Sequence, residues 1–134
     1  RSAASNDDLP RGDGELLLVV DDEENIRLIA QATLEKYGYK VLTATDGTDA
    51  LAVYAQRGSE ISLVLTDMAM PYMDGPAMIR ALRRIGPDVK IVAMSGLMNP
   101  EQTAELESLK VGAYLSKPFT ADHLLKTLRD VLAG

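Results

Sequence analysis

The sequence predicts an α/β fold in which a five-stranded parallel sheet is doubly wound, with helices on both faces. Short apolar runs alternate five times with amphipathic stretches, so each strand is followed by a crossover that returns the chain to the same edge of the sheet. The first, third and fourth runs are almost continuously apolar, which is typical of central strands. A length of 134 residues suits one domain with a single sheet.

The amino-terminal segment differs from the rest of the chain. Residues 1–14 are rich in Ser, Asn, Asp, Pro and Gly and hold almost nothing apolar, so they bury too little surface to order themselves. We therefore expect a flexible tail or linker over residues 1–14 and one domain over residues 15–134. Five runs in this domain are rich in branched residues and read as strands. They are Leu16–Val20, Lys40–Thr43, Ile61–Thr66, Val89–Met94 and Ala113–Ser116.

Two helices are predicted between the first three strands. Apolar residues recur at helical spacing between the first two strands, and Gly38 then suits the left-handed position that ends a helix. Asp46 can cap a second helix that turns Leu51 and Tyr54 inward. The expected buried face of the first helix consists of Ile26, Ile29, Ala30, Thr33, Leu34 and Tyr37.

Three more helices follow the third, fourth and fifth strands. Asp74 opens the third, whose inward face is Met78, Ile79, Leu82 and Ile85. Asn99 begins the fourth with a first-turn proline and Gln102 at the third position, but only Ala104, Leu106 and Leu109 form its apolar stripe. We expect this helix to be weakly anchored. Thr120 caps the fifth, whose inward face is Ala121, Leu124, Leu125, Leu128 and Leu132.

Polar side chains stand at the carboxyl ends of four predicted strands. They are Asp21, Asp22, Asp67, Ser95 and Lys117. The common order for five such strands is the flavodoxin-like 2-1-3-4-5, and ligands bind beyond strands 1 and 3, where the winding direction switches. The three carboxylates fall at that crevice.

Three ionised carboxylates in one crevice repel, by about 4 kcal/mol for a pair about 4 Å apart at an effective dielectric of about 20. Lys117 and one divalent cation would balance the charge, and Mg²⁺ is favoured because it takes a few carboxylates together with phosphate oxygens. Asp67, held on a strand, can then act as a nucleophile toward phosphorus. Two simpler interpretations stay open: Asp21 and Asp22 cap the first helix, and Asp67 is a turn residue.

The composition of the chain argues against several classes of function. The chain has 20 acidic and 14 basic residues and a net charge of −6, which argues against direct nucleic-acid binding and against membrane contact. No cysteine is present, no apolar run approaches the roughly 20 residues of a membrane span, and no secretory signal is recognisable. We expect a soluble, cytoplasmic domain.

Four segments carry a family resemblance that covers residues 15–134. They are Val19–Glu23, Leu65–Gly75, Met94–Gly96 and Ser116–Phe119. Together they resemble the receiver domain of the response regulators of two-component signal transduction. The resemblance implies that Asp67 accepts a phosphoryl group from a histidine kinase or a histidine phosphotransfer protein. The domain would not be an enzyme in its own right, although it would catalyse its own phosphotransfer and dephosphorylation.

The resemblance also implies roles for the surrounding residues. Mg²⁺ would be held by Asp22, Asp67 and the Met68 backbone carbonyl, and by Asp21 largely through water, while Lys117 grips the phosphoryl oxygens. Ser95 would swing toward the phosphoryl group and Tyr114 would turn inward, so that the fourth helix, fifth strand and fifth helix signal to a downstream protein or adjoining domain. The Lys117–Pro118 peptide bond would be cis. The segments Gly12–Glu15 and Met94–Gly96 are similar to receivers fused behind hybrid sensor histidine kinases.

Other interpretations carry less weight. A haloacid-dehalogenase-type phosphatase needs a second Asp two places after its nucleophile, where this chain has Ala69, and a flavodoxin-like electron carrier needs a phosphate-binding loop instead of four acidic residues after the first strand. A phosphorylation-independent interaction module stays open. We expect Met68, Met70 and Met73 to pack rather than bind copper, and His123 and the basic residues Arg80, Arg83 and Arg84 to be solvated. Ala69 and Leu97 offer no group to orient a hydrolytic water, so we expect a persistent acyl phosphate.

Overall fold

The computed structural model describes residues 9–70, 73–96 and 99–134. The expectations for residues 1–8 and for Leu97, and part of the segment 65–75, lie outside the described residues. The strands are β1 (Leu16–Val20), β2 (Lys40–Ala44), β3 (Ile61–Asp67), β4 (Lys90–Ser95) and β5 (Ala113–Ser116). The helices are α1 (Glu24–Lys36), α2 (Gly47–Arg57), α3 (Gly75–Ile85), α4 (Pro100–Ser108) and α5 (Ala121–Ala133), with a 3₁₀ turn at Gly58–Glu60.

The five strands form one parallel sheet in the order β2-β1-β3-β4-β5, which confirms the predicted fold class. Val20 lies opposite both Ala44 and Thr66, so the carboxyl ends of β2, β1 and β3 are level. Asp67 lies opposite Met94 on β4, and Ser95 lies opposite Ser116 on β5. This register brings the ends of all five strands to one edge of the sheet.

Alternation along the strands builds two cores, one on each face of the sheet. In β1, Leu18 and Val20 join the core beneath α2, α3 and α4, while Leu17 and Val19 join the core beneath α1 and α5. All four side chains are fully buried. Both faces of β1, β3 and β4 are covered by helices. These strands therefore hold the residues at their carboxyl ends in fixed positions.

Four of the predicted helix starts are confirmed. The side chains of Asp46, Asp74 and Thr120 each accept a hydrogen bond from the backbone N–H three residues on, at the starts of α2, α3 and α5. At the start of α4, Asn99 and Gln102 exchange side-chain and backbone hydrogen bonds in a capping box. Local sequence signals therefore place these boundaries correctly.

The predicted buried faces are wrong at some positions. Ile29 of α1 is 60% exposed, because α1 buries Ala30 and Leu34 and the neighbouring position 29 lies off that narrow stripe. Ile85, the last residue of α3, is 53% exposed. Ala104 and Ala121 are also exposed, near the middle of α4 and at the start of α5. Helical spacing marks a face but does not say how much of that face the sheet covers.

Residues 9–14 pack against the domain, which corrects the expectation that all of residues 1–14 form a flexible tail. The Gly12 N–H donates to the Tyr37 carbonyl at 2.8 Å, and the Gly14 N–H donates to the Gly38 carbonyl at 2.8 Å. Leu9 packs against the core beneath α1 and α5. A Cβ at Gly38, where φ is +97°, would lie 2.5 Å from the Gly12 carbonyl oxygen. Backbone contacts that composition does not reveal therefore hold this segment.

Within the part of the chain that the structure describes, every helix is too short or too polar to cross a lipid bilayer.

Candidate functional site

Two buried carboxylates stand side by side at the carboxyl edge of the sheet. Asp21 follows β1 directly, and Asp67 is the last residue of β3, the neighbouring strand. Asp21 is fully buried and Asp67 is 5% exposed, whereas Asp22 is open to solvent. The strand pairing fixes the backbone of both buried residues, so their separation does not depend on a flexible loop.

The three carboxylates converge as predicted from the strand order. One carboxylate oxygen from each of Asp21, Asp22 and Asp67 lies within 4.8 Å of the others. These are hard, anionic oxygen donors of the kind that Mg²⁺ takes in proteins. Two of them come from the protein interior and one from its surface, so the group opens to solvent on the Asp22 side.

Lys117 crosses from β5 to meet the two buried carboxylates. Its Nζ donates to Asp21 Oδ2 at 2.8 Å and lies 3.2 Å from Asp67 Oδ1. The Lys117 side chain is 18% exposed, and the Lys117–Pro118 peptide bond that follows is cis. A cation shared by two carboxylates offsets the repulsion between them.

Asp21 uses both of its carboxylate oxygens within the protein. Oδ2 accepts from Lys117, and Oδ1 accepts from the Glu23 backbone N–H at 2.9 Å. The Asp21 carbonyl also accepts from Arg27 Nη1 at 2.7 Å. The N-cap of α1 is Glu23, so Asp21 is not a conventional cap, which weakens that simpler interpretation.

The two central ionisable groups have shifted pKa values. Burial is the main reason that the pKa of Asp67 is raised, and the Asp21 carboxylate adds to it, while Lys117 and the Ala69 backbone N–H act in the opposite direction without cancelling the rise. For Lys117, burial acts to lower the pKa. The hydrogen bond to Asp21 and the charges of Asp67 and Asp21 outweigh burial, so the pKa of Lys117 is raised.

The segment after Asp67 approaches the start of α3 closely. The Met68 carbonyl accepts from the Gly75 N–H at 3.1 Å, and a Cβ at Gly75 would lie 2.7 Å from Met68 Cα and 2.8 Å from the Asp67 carbonyl oxygen. Gly75 is therefore required by space. In the sequence, Gly75 stands out only as the end of the segment Leu65–Gly75, and the signal for this close approach is the Asp-Gly-Pro run soon after Asp67.

Ser95 and Tyr114 occupy the neighbouring strands. Ser95 ends β4, is half-buried, and accepts the Lys117 backbone N–H on its carbonyl at 2.9 Å. Tyr114 lies opposite Ala93, two residues before Ser95, and is 37% exposed. Burial raises the pKa of the Tyr114 hydroxyl, and Glu107 of α4 adds to this. The structure thus brings the three aspartates and Lys117 together. Ser95 lies at the end of β4, next to β3, and Tyr114 lies earlier in β5, away from the carboxyl edge.

The histidine and methionine side chains singled out from the sequence lie at the surface or in the core. His123 is exposed in the first turn of α5. Met68 and Met70 are buried in the core beneath α2, α3 and α4, and Met73 packs against the same core. These positions agree with the packing and surface roles expected for them.

Comparison with known proteins decides the family. The response regulator receiver domain family matches residues 17–129, most of the chain. The chain belongs to this family. It is a receiver domain of two-component signalling, and the predicted recognition is confirmed. The haloacid-dehalogenase and electron-carrier interpretations lose their support.

Relatives of the domain occur in both kinases and transcriptional regulators. The chain is 34% identical over 116 residues to the sensor kinase CckA of Brucella abortus, covering 87% of this chain and 12% of that protein. It is 39% identical over 119 residues to the transcriptional regulatory protein ZraR of Salmonella typhimurium, covering 87% of this chain and 26% of that protein. The chain thus spans only a small part of either relative.

Solved structures show the same fold. The chemotaxis protein CheY4 of Vibrio cholerae superposes with a TM-score of 0.83 at 32% identity, covering 88% of this chain and 98% of that chain. A receiver domain protein from Clostridium thermocellum gives 0.83 at 29% identity, covering 88% and 94%. Both alignments cover nearly the whole of the compared chain, so the fold described above is that of a receiver domain.

Proposed function

We propose that this domain is a phosphorylation-activated switch in which Asp67 accepts a phosphoryl group from a phosphohistidine. The observation that carries the proposal is the Lys117 ammonium shared between Asp21 and Asp67, which places a cation beside a buried carboxylate at the end of a rigid strand. An aspartate with only a structural role at a strand end would not require two further carboxylates and a lysine from a distant segment beside it.

Phosphoryl transfer to Asp67 mainly requires that the carboxylate oxygen and the phosphorus atom be aligned. An oxygen of the Asp67 carboxylate forms a bond to phosphorus as the bond from phosphorus to the imidazole nitrogen breaks, and the nitrogen keeps the electron pair. Charge on the equatorial phosphoryl oxygens is offset by nearby cations, of which Lys117 is one. Asp67 reacts as the carboxylate, so no general base has to remove a proton from it.

The donor set fits a magnesium ion. Three carboxylates and one ammonium leave a formal charge of −2, which one divalent cation balances. Asp22, Asp67 and the Met68 carbonyl would hold the ion directly, and Asp21 would do so through water, because its oxygens already accept from Lys117 and from the Glu23 N–H. When bound, Mg²⁺ would offset charge on the phosphoryl oxygens. The Met68 carbonyl accepts one hydrogen bond and retains a second lone pair.

The phosphoryl group would be sensed at the ends of β4 and β5. Ser95 would donate its hydroxyl to a phosphoryl oxygen, and Tyr114, now partly exposed beside Glu107, would turn inward. The surface formed by α4, β5 and α5 would then change and be read by a downstream protein or an adjoining domain. Ser95 is half-buried and Tyr114 is 37% exposed, so neither side chain is enclosed in the core.

The donor would be a histidine kinase or a histidine phosphotransfer protein, and the setting would be cytoplasmic. Similarity to the sensor kinase CckA supports a place within a hybrid sensor histidine kinase for this domain. Its own chemistry would be limited to self-catalysed phosphotransfer and slow self-catalysed dephosphorylation. The net charge of −6 favours protein partners over nucleic acid or anionic lipid.

Intact-mass measurement tests the proposal. Purified protein is incubated with Mg²⁺ and acetyl phosphate, and the expected result is a gain of one phosphoryl group that Asp67→Asn abolishes and that Asp88→Asn, at an exposed carboxylate before β4, retains. A gain that persists in Asp67→Asn would refute the role of Asp67. An unmodified wild-type protein would favour the interaction module, and multiple turnovers on simple phosphate esters would favour a phosphatase.

A further inference from the structure

The last turn of α4 lacks a cation of its own. A helix leaves its last carbonyls without intrahelical partners and carries a partial negative charge there, and a basic side chain in the last turn commonly offsets both. The last turn of α4 holds no basic residue, and the helix carries Glu101, Glu105 and Glu107. Lys110, two residues beyond the helix, is exposed, and a cation from elsewhere in the fold also contacts this end.

Arg83 of α3 provides it. Arg83 Nε donates to the Leu109 carbonyl at 3.0 Å, and Nη2 donates to the Lys110 carbonyl at 3.0 Å, so the guanidinium caps the end of α4 from a neighbouring helix. Nη1 donates to the Pro87 carbonyl at 3.1 Å and also to the Val89 carbonyl. One side chain of α3 therefore joins the turn before β4 to the segment that ends α4.

These contacts correct the expectation that Arg83 belongs to a solvated basic face. Arg84, its neighbour, is exposed as expected, but Arg83 is half-buried. The planar guanidinium presents five donors in a fixed fork, which is why it can serve four carbonyls where a lysine ammonium could not reach them all. The clustered carbonyls come from two segments, 87–89 and 109–110, so helical spacing gives no sign of them.

The amino half of α4 is held far less firmly. None of the residues Pro100–Ala104 is buried, and Leu106 is the fully buried side chain of the helix. The capping box of Asn99 and Gln102 joins residues of the first turn to one another. An ion pair between the exposed side chains of Arg80 and Glu105 adds one further link to α3. Stability is therefore concentrated at the carboxyl end of α4.

We infer that Arg83 is a positioning residue that fixes the carboxyl end of α4 as a pivot, so that phosphorylation moves the amino end of this helix and not its carboxyl end. The inference rests on the proposed function of Asp67, since the motion is a response to its phosphorylation. The pivot confines the response to the part of α4 that follows β4, where Ser95 ends the strand. The carboxyl end of α4, which leads into β5, keeps its position relative to the sheet.

Amide hydrogen exchange, with intact mass recorded in parallel, tests the pivot. The amides of Leu109, Lys110, Val111 and Gly112 are all hydrogen-bonded and report the carboxyl end, and those of Thr103 and Ala104 report the amino half. Without phosphodonor, Arg83→Gln should raise exchange at 109–112 by about tenfold, the loss expected for hydrogen bonds to a charged group. Arg84→Gln, one residue on in the same helix and equal in charge change, should leave it unchanged. Arg83→Lys should restore the charge and little of the protection.

With Mg²⁺ and acetyl phosphate, wild-type protein and Arg84→Gln should show altered exchange at 103–104 and constant exchange at 109–112. In Arg83→Gln the change should extend through 109–112. A wild-type response of equal size at both ends of α4, or an Arg83→Gln variant that exchanges like the wild type, would overturn the pivot. Failure of the wild type to gain phosphoryl mass would instead count against the proposed function, while the comparison made without phosphodonor would still decide whether Arg83 holds this end.

Discussion

The acidic pocket and helix α4 lie on the same domain and are built in opposite ways. The pocket stands on β1 and β3, whose side chains are buried on both faces of the sheet, and its two inner carboxylates share one lysine. Helix α4 buries Leu106 and little else, and it depends on Arg83 from another helix for its carboxyl end. One region is fixed in place, and the other is held at one end.

The difference shows how a receiver can combine chemistry with signalling. Phosphoryl transfer needs groups held in a set geometry, and the sheet provides that through strand pairing. Signalling needs an element that can change its position at a small cost in free energy. A sparsely packed helix meets this requirement. The two requirements conflict within one element, so they are met on neighbouring elements.

The largest effect on stability is expected at the pocket. Lys117→Met leaves the Asp21 and Asp67 carboxylates together without their shared cation, and removing one partner of a buried ion pair costs about 3 kcal/mol. Urea unfolding in EDTA measures this loss, and added Mg²⁺ should restore part of it. Lys126→Met removes an exposed lysine paired with Asp122 within α5 and should change stability by about 0.5 kcal/mol or less. Equal losses in the two variants would show that the pocket is not the fixed region described above.

A smaller and more local effect is expected in α4. Leu106→Ala removes the fully buried side chain of this helix and should cost about 2 kcal/mol, at the low end for buried leucine because a sparsely packed helix can collapse onto the gap. Amides within α4 should then exchange faster, while those of β3 keep their relative protection. Ala104→Gly, at an exposed position of the same helix, controls for helix propensity and should cost about 1 kcal/mol. Uniform loss of protection throughout the sheet would contradict a locally held α4.

The smallest effect is expected in the pH dependence of stability. Because the pKa of Asp67 is raised in the folded protein, the fold retains this proton more readily than the unfolded chain, and stability falls as pH rises above the ordinary aspartate value of 3.8. Asp67→Asn removes this pH-dependent contribution to the free energy of unfolding. The variant should therefore be more stable than the wild type at neutral pH without Mg²⁺, and the difference should shrink as pH falls through the raised pKa of Asp67 and disappear below 3.8.

Urea unfolding between pH 3 and pH 7 in EDTA measures this difference, with Asp88→Asn as the control at an exposed carboxylate. A variant that is less stable than the wild type at neutral pH would mean that the attraction of Lys117 outweighs burial and the Asp21 charge. Mg²⁺ should stabilise the wild type more than Asp67→Asn, since the variant loses one anionic oxygen ligand.

Features that arise from neighbours along the chain were predictable. The caps at Asp46, Asp74, Asn99 and Thr120 each depend on a side chain and a backbone N–H three residues away, so the sequence contains the whole interaction. Alternation and right-handed crossovers predict the parallel sheet, and the common order for five such strands places Asp21, Asp22 and Asp67 at one edge.

Features that arise from distant segments were not predictable. The exposure of Ile29 depends on how much of α1 the sheet covers, and the packing of residues 9–14 depends on carbonyls at Tyr37 and Gly38 that no periodicity reports. Arg83 was predicted to be one of three solvated basic residues, because its partners Leu109 and Lys110 lie 26 and 27 residues away along the chain.

The sequence by itself thus determined the order of the elements, their starting points and the set of polar residues at the carboxyl edge of the sheet, because these depend on local hydrogen bonds and on periods of two and 3.6 residues. Only the tertiary structure decided that Lys117 bridges Asp21 and Asp67, and that Arg83 secures one end of α4. Both are contacts between side chains and groups far apart along the chain, whose distances exist only after the helices have settled on the sheet.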